Sequence, residues 1–498
     1  MCGIIVVIGK NSQQKIKKSI TKLSHRGEDS SKIITHKNIS FGFTRLAIND
    51  ESNKAEQPLE FEEYIGLFNA EIYNYKELKE RYGLSCKSDA DTEVILPLYS
   101  RFKENILSLL DGFYSSVIYD KNKEELIILR DYIGKKPLIF AYDKEYQYIT
   151  SELKALPQIE HFEIIPKGIS TIHLNRVIEI KKHHKRDLNR PSNQELKKII
   201  ENAVFKRVVD IKEREIGIFL SGGIDSSIVA SLATKLFPNT HIHYYSILDK
   251  EHPDYHYIKI MQKSLERRNS SFKMISLPNK EEFISILKKV VYHTESFNPS
   301  IISNGIGSYI LSKEAHKDGL KVVLTGDGAD EMFMGYDNQE TVKNNEKWRD
   351  KHKLLVDDLY TTELRRVDLA SMANTIEIRC PFLDREIYSV VESFNYKDLF
   401  GNPEDKLNKN ILRKIFNEIP KEIRYRPKVS FDVGSGIQKT MVDICKEKGL
   451  TEESYLKDIW DSFFSETLSL VKENEYFYSY PAFNDVIPFR GRKYQDAE

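Results

Sequence analysis

The chain has 498 residues, 40% hydrophobic and 30% charged, with 75 Lys plus Arg balanced by 75 Asp plus Glu. That length exceeds what one core organises, so two or three domains are expected. Neutrality argues against nucleic-acid or membrane-surface binding, and four scattered cysteines (Cys2, Cys86, Cys380, Cys445) without a CxxC pair argue against zinc or a disulfide framework.

The N-terminal stretch MCGIIVVIGK has a short apolar run with no basic region before it, so a signal peptide is not expected. No later run approaches membrane-spanning length, and a cytoplasmic location is expected. Ile4 to Ile8 is a β-branched run, the pattern of a strand buried on both faces. Helices are expected over 14–24 and 92–102, and Asn175-Arg176 between two apolar runs suggests a hairpin. Residues 2–182 therefore predict an α+β layered domain.

The basic run from Lys181 to Arg190 reads as a solvated linker, spanning 183–195. Ser192-Asn193-Gln194-Glu195 is a capping box, followed by Leu196, Ile199, Ile200 and Ala203 at helical spacing. Ile216 to Leu220 is then a strand running into a Gly/Ser loop and a helix over 227–236; Lys321 to Leu324 repeats the strand-into-Gly-loop arrangement. Such alternation predicts a parallel α/β sheet across 196–498, with ligands at the strand C-terminal ends. The tail holding Tyr476, Phe477, Tyr478, Tyr480 and Phe483 is expected to pack on this domain.

Ser221-Gly222-Gly223-Ile224-Asp225-Ser226-Ser227 follows a strand and opens a helix, so its N–H groups and the helix dipole face a bound anion. It is not a GxxxxGK[ST] loop, because no lysine closes it and Asp225 sits inside it. An acid in an anion loop makes sense as a magnesium ligand held against phosphates. SGGIDSS resembles the pyrophosphatase loop of the N-type ATP pyrophosphatases, which adenylate a carboxylate or carbonyl oxygen and release pyrophosphate. After the second strand, Asp330 in Thr325-Gly326-Asp327-Gly328-Ala329-Asp330-Glu331 is a second candidate magnesium ligand.

At the other end, removal of Met1 is expected to leave Cys2 as the N-terminus. A free α-amine with a pKa of roughly 7.7–8.0 can take the thiol proton, making Cys2 nucleophile and base in one residue. MCGI resembles the class II glutamine amidotransferases, and His25-Arg26-Gly27, Arg45-Leu46-Ala47-Ile48, Asn69-Ala70-Glu71 and Asp89-Ala90-Asp91-Thr92-Glu93 follow in their order. The resemblance implies an N-terminal-nucleophile antiparallel sandwich in which Arg45 clamps the glutamine α-carboxylate while Glu71 and Asp91 hold its α-ammonium. The Asn69 side chain and the Ala70 N–H would form the oxyanion hole. Asn-Ala-Glu departs from the usual Asn-Gly-Glu, and alanine tolerates positive φ poorly.

Together the two halves resemble glutamine-dependent asparagine synthetase over nearly the whole chain. Supporting stretches include Leu129 to Gly134 with Lys136 to Leu138, Ser151 to Leu156, Met372 to Asn374 with Glu377 to Asp384, Lys409 to Arg413 and Arg426 to Gly436. The resemblance implies ATP binding by Leu220, Ser221, Gly222, Gly223, Asp225, Ser226, Ile247, Thr325 and Gly326. It also implies magnesium at Asp225 and Asp330, catalytic roles for Asp327 and Lys428, and ammonia passing from Cys2 to an acyl-adenylate. Tyr132 to Leu138 and Met372 to Cys380 are candidates to line that path. Partners would be glutamine and a small carboxylate, aspartate first, with no nucleic acid or membrane and a homodimer left open. Ser303-Asn304-Gly305-Ile306-Gly307-Ser308 lacks the arginine usual there, so another carboxylate, such as a uronic acid of a surface polysaccharide or a secondary-metabolite acid, is the alternative acceptor. An amidotransferase of another class and a non-catalytic relative are the remaining alternatives.

Overall fold

The computed structural model describes residues 2–173, 175–183, 189–211, 215–248, 251–336, 347–401 and 407–471. The aromatic tail lies outside them. The first domain holds two six-stranded sheets whose strand pairings are antiparallel. In spatial order one sheet runs His161–Ile164, Ile139–Tyr142, Gln147–Thr150, Gly3–Ile8, Ile39–Arg45, Ser30–His36. The other runs Arg176–Lys181, Gly168–His173, Glu125–Arg130, Gly112–Asp120, Tyr64–Ile72, Leu59–Phe61.

Alternation along the strands explains the layering. Ile4 and Val6 point into the space between the sheets, against Leu67, Val117 and Ile128, while Ile5 and Val7 pack on Ile16 and Ile20 of helix Ser12–Thr21. The second sheet buries Phe68 and Ile118 against Leu78 and Leu98 of helices Tyr75–Tyr82 and Ile95–Phe102. Helix, sheet, sheet, helix is thus the layer order, and Gly3–Ile8 is buried on both faces, as its composition predicts. The helix expected over 92–102 starts later than its sequence suggests. Asp91–Val94 forms a 3₁₀ turn, and the Asp91 carboxylate accepts the Ile72 N–H at 2.6 Å.

The second domain is built on a five-stranded parallel sheet, ordered Ser270–Ile275, Ile242–Ile247, Ile216–Phe219, Val322–Leu324, Glu377–Arg379. The order of strand addition reverses between the parallel neighbours Ile216–Phe219 and Val322–Leu324, so the connections leaving them diverge and open a crevice, as at other switch points. Helices Ile224–Leu236, Pro299–Lys317 and Glu363–Met372 surround it.

Of the basic run, the described residues His183 and Arg190 make specific contacts. His183 Nε2 meets the Arg130 carbonyl at 2.7 Å, and burial pushes its imidazole down to about 4, so it is neutral. Arg190 forks the Asp398 carboxylate at 2.9 and 2.6 Å, and helix Asn193–Lys206 already begins within the span read as linker.

The domains share one apolar cluster, from Ile5 and Leu153 to Ile376 and Leu383. Charges cross it as well. Arg26, fully buried, donates to Glu152 at 2.6 Å and to Asp368 of the second domain at 2.8 Å. Lys154 joins Glu152 at 2.6 Å to Glu295 at 3.2 Å. A buried charge is tolerated only when paired in this way.

Candidate active site

Two separate cavities collect the residues singled out by sequence. The smaller, about 50 Å³, is walled by Cys2, Arg45, Ala70, Glu71 and Asp91 together with Phe43, Leu46, Ala47 and Gln57. Cys2 immediately precedes the inner strand Gly3–Ile8 of one sheet, and Asn69 lies in the facing sheet. The Cys2 N–H donates to Asn69 Oδ1 at 3.1 Å. Asn69 Nδ2 is buried without a hydrogen-bond partner, which leaves a donor beside the nucleophile. Ala70 sits within extended strand Tyr64–Ile72, opposite Tyr114, and has no positive φ, so its replacement of the usual glycine carries no backbone strain.

Arg45 is shaped by its loop: its guanidinium donates to the carbonyls of Asp50 at 2.7 Å and Ser52 at 3.0 Å. Burial pushes the Cys2 thiol up, opposed by a hydrogen bond from Leu46. Such a thiol needs a base to form the thiolate nucleophile.

The larger cavity, about 530 Å³, lies where the parallel sheet opens. Leu220, Ser221, Asp225, Ser226, Thr325, Gly326, Asp327, Asp330 and Lys428 all line it. Gly326 allows the two loops to meet, since a Cβ there would stand 2.7 Å from the Ser226 nitrogen. Gly223 lines an adjoining 70 Å³ cavity with Lys409, Arg413 and Arg426, a cationic recess beside the anion loop. Gly222 and Ile247 stand elsewhere. Gly222 is a turn residue at φ 70° packed on Tyr257, and Ile247 ends its strand as a core side chain.

Asp225 and Asp330 do face each other, through a cation that sequence reasoning did not single out. Lys409 Nζ lies 2.5 Å from Asp225 Oδ2 and 2.6 Å from Asp330 Oδ1, and Lys428 Nζ lies 2.6 Å from Asp330 Oδ2. Both ammonium groups outweigh burial and hold the Asp330 carboxyl far below the usual range. Asp225 Oδ1 is buried without a hydrogen-bond partner. Two facing carboxylates with a spare oxygen suit a magnesium ion that takes its other ligands from phosphates and water. Asp327, by contrast, is engaged by Arg366 at 2.9 Å, and Arg366 also pairs with Glu363. Both partners come from helix Glu363–Met372, 36 or more positions along the chain, so no local motif signals them.

The family profile of the glutamine amidotransferase domain matches residues 1–204, and that of asparagine synthase matches residues 195–358 and 338–458. The chain belongs to the asparagine synthase family. A putative asparagine synthetase (glutamine-hydrolyzing) of Methanocaldococcus jannaschii is 30% identical, over 91% of this chain and 97% of its own. A probable asparagine synthetase (glutamine-hydrolyzing) of Acanthamoeba polyphaga mimivirus is 29% identical, over 91% of each chain. The asparagine synthetase of Gallus gallus is 29% identical, over 90% of this chain and 87% of its own. The cavity walled by Cys2 falls within the span of the first profile, and the cavity walled by Ser221, Asp225 and Asp330 within that of the second.

Proposed function

We propose that this chain is a glutamine-dependent amide ligase of the asparagine synthetase kind, with aspartate as acceptor. What carries the reading is the presence in one molecule of a cavity walled by Cys2, whose N–H is held by Asn69, and a cavity walled by Ser221, Asp225 and Asp330. With Met1 removed, the Cys2 α-amine takes the thiol proton and the thiolate attacks the glutamine carboxamide carbon. Asn69 Nδ2 and the Ala70 N–H stabilise the oxyanion, ammonia leaves, and water releases glutamate from the thioester. Arg45 holds the glutamine α-carboxylate, and Glu71 with Asp91 its α-ammonium.

In the other cavity Ser221, Gly223 and Ser226 bind ATP, and the acceptor carboxylate attacks its α-phosphate to expel pyrophosphate. Asp225 and Asp330 would hold magnesium, which neutralises phosphate charge. Lys428 and Lys409 supply fixed positive charge at the same place. Ammonia then attacks the acyl carbon and AMP departs. Asp327, ion-paired with Arg366 on the wall of this cavity, would take the further catalytic role.

The assay is pyrophosphate and asparagine formation from glutamine, aspartate and Mg-ATP, with Cys2→Ala as control. The variant should lose glutamine-driven synthesis and keep ammonium-driven synthesis. Pyrophosphate release with some other carboxylate but never with aspartate would move the acceptor assignment. One observation favours that second reading: both cations among the described wall residues, Arg366 and Lys428, are already ion-paired. Ser303, in the arginine-free segment, instead donates to Asp432 at 2.6 Å. An acceptor with one carboxylate and several hydroxyls would suit such a wall, so the carboxylate screen should include uronic acids.

A further inference from the structure

A synthetase-domain cation reaches the edge of the glutamine cavity. Arg379, in strand Glu377–Arg379, places Nη2 2.5 Å from Glu71 Oε2 and donates from Nε to Glu377 Oε1 at 2.7 Å. The Glu71 contact is electrostatic, since the Nη2 hydrogens are not aligned on the oxygen. Lys136 stands 3.7 Å from Glu377, its ammonium buried without a hydrogen-bond partner. All four side chains are buried, and Arg379, Glu377 and Lys136 take no part in the chemistry described above. Yet the cluster ends on Glu71, which walls the glutamine cavity.

We propose that Arg379 is a positioning residue of the glutamine site, holding the Glu71 carboxylate where the substrate's α-ammonium meets it. This rests on the reading of Glu71 as an ammonium partner. Without Arg379, Glu71 would face chiefly Glu377, and two adjacent buried carboxylates share a proton rather than both ionise. A protonated Glu71 cannot pair with an ammonium group. The first domain therefore borrows from its neighbour the charge that lowers the pH at which its own substrate acid ionises.

The surroundings of Glu71 give this a titration signature. It is faced by Arg379 and Glu377 from the strand and by Lys136 from the loop after Glu125–Arg130, while Tyr73, Asp91 and Arg207 act on the same cluster. Burial pushes Glu71 up, Arg379 pulls it down and Glu377 pushes it up again, which together leave it at about 8. Since the ammonium requires the ionised form, the KM for glutamine should fall as pH rises through about 8. Removing Arg379 should shift that limb to higher pH.

The test uses the full chain and glutamate release from glutamine, with Mg-ATP binding and thermal unfolding as controls for folding. Arg379→Gln should raise the glutamine KM about tenfold or more, change kcat much less, and displace the pH limb upward. Arg379→Lys should restore part of the KM. A folded Arg379→Gln with wild-type KM and an unmoved pH limb overturns the proposal, as does a loss confined to kcat. Should Arg379→Gln not fold, Arg379→Lys decides: an intermediate KM supports the role and a wild-type KM overturns it. Failure of the underlying reading looks different, because then Glu71→Gln leaves the glutamine KM unchanged, or the wild type hydrolyses no glutamine.

Discussion

Asn69 does two things with one amide. Its oxygen accepts the Cys2 N–H, and its buried Nδ2 keeps a donor in reserve. The oxygen orients the nucleophile's backbone, and the nitrogen is placed for charge that develops only during the reaction. Asn69→Ala should therefore lower kcat for glutamine hydrolysis by ~10²–10³, as for other oxyanion donors, while ammonium-driven pyrophosphate release persists. Lys428 offers the opposite pattern. Asp330 outweighs burial and holds its ammonium charged. Lys428→Met should cut pyrophosphate release on the order of 10²-fold with either nitrogen source, with glutamate release from glutamine kept.

Among the elements, the strand-loop-helix unit around Ser221 shows what was legible. Strand Ile216–Phe219, the glycines and helix Ile224–Leu236 are written contiguously, so periodicity and turn chemistry locate them. The same holds for strand Gly3–Ile8 and the capping box at Ser192. Lys409, Arg366 and Arg379 were not legible as site residues, because each acts on a partner distant in sequence: Asp225 lies 184 positions from Lys409. Ile247 ends strand Ile242–Ile247, and its side chain turns into the core. The structure also assigns Gly222 a mainly conformational role. At φ 70°, and with a Cβ that would lie 2.9 Å from that of Tyr257, Gly222→Ala should cost ~1–2 kcal/mol from the backbone alone. A lowered thermal midpoint, partly recovered by saturating Mg-ATP, would show this.

For the molecule as a whole, the domain interface is a stack of charges closed off from water. Arg26 serves Glu152 and Asp368 at once, and its Nε also donates to the Cys2 carbonyl at 3.2 Å. Arg26→Met would remove the Asp368 partner and leave Glu152 to Lys154 and His25, at a cost of about 3–5 kcal/mol, measurable by urea unfolding. The interface should also be acid-labile. Lys154, His25 and Arg26 overcome burial to hold Glu152 well below the usual carboxylate range. A depressed acid contributes stability that is complete above its unfolded value, about 4.5, and drains away as pH falls through the folded one. Unfolding followed between pH 7 and pH 3 should show wild type losing stability more steeply than Glu152→Gln. The wall of the larger cavity obeys a looser rule. Ser300, Asn304 and Ser308 recur every four residues along helix Pro299–Lys317, while Ile302, Ile306 and Ile310 fill the core behind them. Gly307 cannot vary, for a Cβ there would collide with Phe431. The three polar positions have no such tie to the core, so this strip is a cassette that evolution or an engineer can rewrite for a new acid without rebuilding the enzyme around it.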